Sequence, residues 1–209
     1  MRILITDDHA LIRMGLKQLI QAGFGKAVVG EAANAGEALE QIGGNEWDAV
    51  VLDITMPGRS GIDILRDIKM LRPKLPVLIL TACSEDEFAM RVLKAGAAGF
   101  VRKEMAPSEL INAIKKVVAG GKYISQSLAE KLASKLNQDI EIPVHETLSD
   151  REYEVMRLLA KGNTPSEVAK MLSLSVKTVS TYRTRLLEKL NLRSNAELTY
   201  YAIKNGLVE

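Results

Sequence analysis

Along the first 120 residues, short apolar runs alternate with stretches whose apolar positions recur every three or four residues. The runs lie at 2–6, 27–32, 48–52, 76–80 and 99–102, and the helix-like stretches near 9–22, 35–43, 60–72, 85–95 and 107–119. The runs read as largely continuous apolar stretches and do not alternate, the pattern of a strand buried on both faces. Five strands regularly separated by five helices predict a doubly wound α/β domain with a five-stranded parallel sheet covered on both sides. In such sheets ligands gather in the crevice at the carboxyl ends of the strands.

Beyond Gly120-Gly121 the pattern changes. Gln126 to Asn137 places Leu128, Leu132 and Leu136 at i, i+4 and i+8. This short helix suits either packing on a neighbouring domain or a signalling or dimer-forming role. Ile140 to Glu146, with Pro143, reads as extended linker. From Thr147 onward the pattern is all helix. Ser149/Glu152, Thr164/Glu167 and Ser194/Glu197 have capping-box spacing, which satisfies orphaned backbone N–H groups at a helix start. Pro165 sits at a first helical position, Gly162 ends the preceding helix, and Ser175 caps a further one. The expected organisation is an α/β domain at 1–120, a connector at 121–146 and an all-α four-helix domain at 147–209.

Composition narrows the class. The 209 residues are 47% hydrophobic and 26% charged, ample for two cores. No apolar run approaches the roughly 18 residues needed to span a bilayer, and two aspartates interrupt the N-terminus where a signal peptide would be apolar. The lone Cys83 cannot form an internal disulfide, and two His with one Cys make no structural zinc site. A cytoplasmic protein with no membrane partner is expected. The net charge is +2, unevenly spread: ten Lys/Arg face seven acids from Thr147 onward, against 18 and 19 before it. That bias permits nucleic-acid binding without establishing it.

The candidate chemistry falls at strand ends. Asp7 and Asp8 follow the first strand, Asp53 the third, Thr81 the fourth and Lys103 the fifth. Three carboxylates in one crevice repel unless a cation neutralises them, and oxygen donors in a small, partly hydrated site suit Mg2+. A shielded Asp53 can attack a phosphoryl group, with Lys103 and the Thr81 hydroxyl placed to hold its oxygens. Singly, each residue has a plainer role: Asp8 or Thr81 as a helix cap, Lys103 as a solvated lysine. Their joint placement favours the chemical reading.

These residues carry a resemblance. ILITDDHALIRMGL, VVLDITMPGRSGIDIL, LILTA and GAAGFVRK resemble the response-regulator receiver domain of two-component signalling, a flavodoxin-like fold, over about residues 1–120. The resemblance implies that Asp53 accepts phosphate from a sensor histidine kinase. It further implies that Asp7, Asp8 and the Thr55 backbone carbonyl help Asp53 bind Mg2+, that Thr81 and Lys103 hold the phosphoryl group, and that Phe100 is a rotamer switch. Many members carry Tyr at that place, so here a relay rests on packing without a hydroxyl. Met56-Pro57 and Gly61 fit the family's following loop, while Thr55 and Cys83 occupy positions that tune phosphate lifetime.

In the C-terminal part, TPSEVAKMLSLSVKTVSTYRTRLLEKL contains two helices joined by a turn around Leu172-Ser173-Leu174. On the second, Val176, Val179, Leu186 and Leu190 share one face. Lys177, Thr181, Thr184 and Glu188 lie opposite, flanked by Ser180 and Arg185. Such a helix suits the major groove, although an ordinary amphipathic surface helix has the same pattern. Residues 147–209 resemble the LuxR-type helix-turn-helix, and with the receiver they resemble NarL/FixJ-type response regulators over nearly the whole chain. The resemblance makes 175–190 the recognition helix. By position on that helix, Ser180, Thr181 and Thr184 are candidates for bases and Lys177 and Arg185 for phosphates, while Arg183 lies nearer the core-facing side, where its stem packs inward and its head reaches the DNA backbone. Few basic residues per monomer imply binding to promoter DNA as a dimer, formed when phosphorylated. Two rival readings are a phosphate-ester hydrolase using Asp53 as nucleophile and a regulator that works through protein contacts alone.

Overall fold

The computed structural model describes residues 1–56, 59–81, 85–125, 128–130 and 143–208, with the side chains of 85–88 set aside. Pro57, Cys83, Leu132 and Leu136, all weighed above, lie outside the described residues. The chain forms two compact units, Met1–Ser134 and Lys135–Glu209.

In the first unit, β1 (Arg2–Thr6), α1 (Ala10–Phe24), β2 (Val28–Ala32), α2 (Ala35–Gly44), β3 (Ala49–Asp53), α3 (Gly61–Leu71), β4 (Val77–Thr81), α4 (Glu85–Lys94), β5 (Gly99–Arg102) and α5 (Ala106–Val118) alternate without exception. The five strands are parallel in the order β2-β1-β3-β4-β5. Helices α1 and α5 cover the sheet face carrying Ile3, Ile5, Val51, Leu78, Leu80 and Val101. Residues of the opposite parity, such as Leu4, Val50, Leu52 and Ile79, are also fully buried, so both faces are covered. Strand β2 departs from the expected pattern. It is an edge strand, and Val28 is 55% exposed, because a strand with one neighbour can be covered less completely.

After α5, Gly120 takes φ +85°, which ends the helix without a Cβ penalty. The chain then turns back along the free edge of β5. Tyr123 N–H donates to Ala98 O at 3.0 Å, and Phe100 N–H donates to Tyr123 O at 2.9 Å. The Tyr123 hydroxyl meets Glu109 of α5 at 3.2 Å. This part of the expected connector is therefore paired to the sheet. Ser125 Oγ then accepts Leu128 N–H, and Leu128 is buried.

The second unit contains α6 (Asp150–Ala160), α7 (Pro165–Met171), α8 (Val176–Leu190) and α9 (Asn195–Lys204). Its core gathers Tyr153, Met156, Leu159, Val168, Val179, Leu186, Leu190, Leu198 and Ala202. Full capping boxes form at Ser149/Glu152 and Thr164/Glu167. The third is half formed: Ser194 accepts Glu197 N–H, but the Glu197 carboxylate reaches Arg193 N–H at 2.8 Å instead of Ser194. Val176, expected on the apolar face of α8, is 48% exposed at the first position of that helix, whereas Val179 is fully buried.

Candidate functional site

The strand order explains why the acidic residues meet. From β1 the chain crosses to β2 on one side, then to β3 on the other, so the direction of winding reverses between β1 and β3. The connections leave these two strands in opposite directions, and the crevice of a doubly wound sheet lies at their common carboxyl end. Asp7 follows β1 and Asp53 ends β3, both essentially inaccessible to solvent. Thr81 ends β4, one residue beyond the Leu80 that pairs with Asp53, and is also fully buried. Lys103 follows β5 and completes the set.

Lys103 Nζ lies 2.7 Å from Asp53 Oδ2 and 2.7 Å from Asp7 Oδ2, an ammonium bridging two buried carboxylates. Burial acts to lower the pKa of Lys103, but the hydrogen bonds and charges of Asp53 and Asp7 outweigh it and hold the pKa above the ordinary lysine value. The other oxygen of Asp53, Oδ1, accepts the Thr55 N–H at 2.9 Å and the Thr55 hydroxyl at 2.7 Å. Asp7 Oδ1 accepts His9 N–H at 2.8 Å, and Arg13 donates to the Asp7 carbonyl at 2.7 Å. Arg13 and Lys17 in turn hold Glu31, whose pKa is lowered chiefly by the Lys17 hydrogen bond.

The donor set fits a divalent cation. Asp7, Asp8, His9 and Asp53 each offer one ligand atom, all within 4.8 Å of one another. Asp7 Oδ2 and Asp8 Oδ1 are buried, the first 2.7 Å from the Lys103 ammonium and the second 2.9 Å from His9 Nδ1. Buried carboxylate oxygens with free lone pairs are costly unless a cation takes them up. Sequence reasoning found Asp7, Asp8, Asp53, Thr81 and Lys103 but passed over His9 and Arg13. An imidazole directly after paired aspartates was the available signal. Phe100 is buried in β5 opposite Ile79, and its backbone N–H is the one bound by Tyr123.

In the second unit, α7 and α8 pack together across the Leu172–Leu174 turn, where Ser173 has φ +53°. Ser175 caps α8 by accepting Thr178 N–H at 3.0 Å. Lys177, Ser180, Thr181, Thr184 and Arg185 are all exposed. Lys177, Thr181 and Arg185 line a shallow groove with Ser175, Thr178 and Tyr182, the last two not singled out by periodicity. The hydroxyls of Thr181 and Thr184 donate to the carbonyls of Lys177 and Ser180, at 3.0 and 3.1 Å. Their oxygens thus face outward mainly as acceptors, suited to the amino groups of adenine or cytosine. Arg183 is half-buried, and its Nε donates to Asn195 Oδ1 at 2.7 Å, tying α8 to the start of α9. Lys189 pairs with buried Glu152 at 2.7 Å and so anchors α8 to α6.

Comparison with known proteins agrees in both units. The response regulator receiver domain family matches residues 3–115, and the family of bacterial regulatory proteins, luxR family, matches 146–202. The chain is 35% identical to response regulator UvrY of Escherichia coli over 206 residues, covering 98% of this chain and 94% of that one. It is 36% identical to response regulator GacA of Pseudomonas viridiflava over 209 residues, covering 100% and 98%. Among solved structures, RcsB from Salmonella enterica serovar Typhimurium, bound to promoter rprA with the phosphomimetic BeF3−, is similar at a TM-score of 0.66 and 26% identity, covering 96% of this chain and 97% of that one.

Proposed function

The chain belongs to the NarL/FixJ-type response regulators, and from that membership we propose how its residues carry the switch. It is a phosphorylation-dependent, DNA-binding regulator of a two-component system. Residues 1–120 act as receiver, 121–146 as connector and 147–209 as DNA-binding domain, in the cytoplasm, where a sensor histidine kinase and promoter DNA are both within reach.

Asp53 is the phosphoacceptor. An Asp53 carboxylate oxygen forms a bond to phosphorus as the bond to the donor's imidazole nitrogen breaks, and the electron pair leaves with that nitrogen. Asp7, Asp8, Asp53 and the Thr55 carbonyl would hold Mg2+, which would supply neutralisation of the carboxylates and of the transferring oxygens. Lys103 moves its ammonium from Asp53 Oδ2 to a phosphoryl oxygen, and the Thr81 hydroxyl donates to another. Movement of Thr81 changes the space against which Phe100 packs, so the switch at Phe100 is one of shape. The observation that carries this reading is the Lys103 ammonium 2.7 Å from both Asp53 Oδ2 and Asp7 Oδ2.

In the second unit, Ser180, Thr181 and Thr184 contact bases, while Lys177, Arg185 and the guanidinium of Arg183 contact phosphates. Tyr200 and Ile203, exposed one turn apart on α9, supply an apolar face for a homodimer on two half-sites. The protein is a signalling regulator, and hydrolysis of its own phosphoryl group is slow. Intact-mass measurement after treatment with a small phosphodonor and Mg2+ tests the first step. The wild type gains one phosphoryl group and Asp53→Asn gains none; equal labelling of the two would sink the assignment.

A further inference from the structure

We infer that Arg13 is a positioning residue of the phosphoryl-transfer site: its guanidinium holds the Asp7 carbonyl and so sets the turn from which Asp7 and Asp8 project. The inference rests on the reading of Asp7, Asp8 and Asp53 as the Mg2+ site. It adds a residue that acts through them, since a guanidinium has no lone pair to offer a cation.

Residues 7–9 join β1 to α1. The hydrogen-bond ladder of α1 begins at His9, its N-cap, whose carbonyl accepts Arg13 N–H at 3.1 Å. The Asp7 carbonyl lies outside that ladder and takes a side chain instead, Arg13 Nη1 at 2.7 Å. A peptide group is planar, so the hydrogen bond that fixes the Asp7 oxygen also fixes the Asp8 nitrogen across the same group. Asp7 precedes this peptide and Asp8 follows it, and both carboxylates take their direction from it. The rest of the turn is tied from within the first unit's main chain: Asp7 N–H donates to Ala32 O at 3.2 Å, and His9 N–H to Asp7 Oδ1 at 2.8 Å.

The plainer reading makes Arg13 an ion-pair partner of Glu31, and the distances weigh against it. Arg13 Nε stands 3.6 Å from Glu31 Oε2, too far for a hydrogen bond, whereas Lys17, one turn further along α1, meets Glu31 Oε1 at 2.8 Å. Among the described residues, Arg13 Nε is buried with no hydrogen-bond partner. An arginine free to settle on a carboxylate pairs with it bidentately at about 2.7–2.9 Å. This guanidinium forgoes that geometry and reaches the main chain of Asp7 instead. Glu31 lies in register with Ile5 of β1, so its charge holds the arginine beside the strand that delivers Asp7.

The test measures Mg2+ binding to the full chain by titration calorimetry without phosphodonor, then the Mg2+ dependence of phosphorylation by a small phosphodonor. Arg13→Met keeps the apolar stem and removes the donors. It weakens Mg2+ binding by about tenfold, the lower end of the effect of losing an outer partner of a metal ligand. The Mg2+ concentration that half-saturates phosphorylation rises by the same factor, while the rate at saturating Mg2+ falls much less. A merely structural arginine lowers thermal stability and leaves the Mg2+ dissociation constant where it is. Folded Arg13→Met with wild-type Mg2+ affinity therefore overturns the role of Arg13 and leaves the cation site standing. No saturable Mg2+ binding by the wild type overturns the reading on which it rests. Should Arg13→Met fail to fold, Glu31→Gln, at the more exposed partner, decides: weakened Mg2+ binding supports the proposal, and an unchanged constant overturns it.

Discussion

At the scale of single residues, the chemistry concentrates on one ammonium. Lys103 neutralises Asp7 and Asp53 where neither reaches bulk water, so its removal leaves two buried carboxylates facing each other. Breaking such a pair costs about 3–5 kcal/mol. Lys103→Ala is expected to lower the thermal midpoint of the first unit by that equivalent, and millimolar Mg2+ to restore more stability in the variant than in the wild type. An unchanged midpoint without Mg2+ contradicts the account. Because its folded pKa is raised, Lys103 contributes stability in full below its ordinary value of 10.5 and loses it only as pH rises through the higher folded value. Glu152 has the opposite sign. Burial alone acts to raise its pKa, but the Lys189 and Ser149 hydrogen bonds outweigh burial and lower it from 4.5. Its contribution is present above about pH 4.5 and is lost as pH falls through the lower folded value. Acid unfolding of the second unit followed in wild type and Glu152→Gln checks this: the variant is less stable at neutral pH, and the gap closes in acid. The strand-end aspartates and Lys103 were legible in the sequence because strand ends can be located from apolar runs. The ties of His9 to Asp8 and of Arg183 to Asn195 were not, since they depend on angles between backbone segments that no periodicity encodes.

At the scale of elements, α8 is bracketed by two residues in left-handed conformation. Ser173 at φ +53° precedes it, and Asn191 at φ +54° follows. A non-glycine residue there costs about 1–2 kcal/mol, less for Asn, whose short polar side chain tolerates the region. Ser173→Gly is therefore expected to raise the unfolding free energy of the second unit, read from denaturant titration, by about 1 kcal/mol, and Ser173→Val to lower it. A Ser173→Gly variant no more stable than wild type contradicts the strain argument. Neutralising Lys177 and Arg185 together should weaken DNA binding and reduce the magnitude of the salt slope by about 2, one for each phosphate contact. An unchanged slope removes them from the phosphate-contacting set. The helices were legible from capping residues and apolar spacing, which are local. Strand β2 was misjudged as doubly buried because its place at the sheet edge depends on strand order, which an apolar run does not record. Val176 shares the apolar stripe of α8 but is 48% exposed at its first position, a helix end whose covering periodicity does not record.

At the scale of the whole molecule, one chain joins an acidic crevice to a DNA-reading helix. The connector leaves the first unit by pairing with β5 at Phe100, so the residue proposed to sense the phosphoryl group is also bonded to the path out of the receiver. Nothing in the sequence pattern marked Tyr123 for this, because a single bridge residue after a Gly-Gly stop has no strand signature. The central claim is that phosphate on Asp53 raises affinity for DNA in the other unit. The direct measurement is DNA affinity of the full chain by fluorescence anisotropy, with and without a small phosphodonor and Mg2+, in wild type and Asp53→Asn. The account predicts at least a fivefold gain for wild type, the lower end of coupling energies of about 1–3 kcal/mol, and no gain for Asp53→Asn. Equal affinity of treated and untreated wild type, or an equal gain in Asp53→Asn, would contradict it.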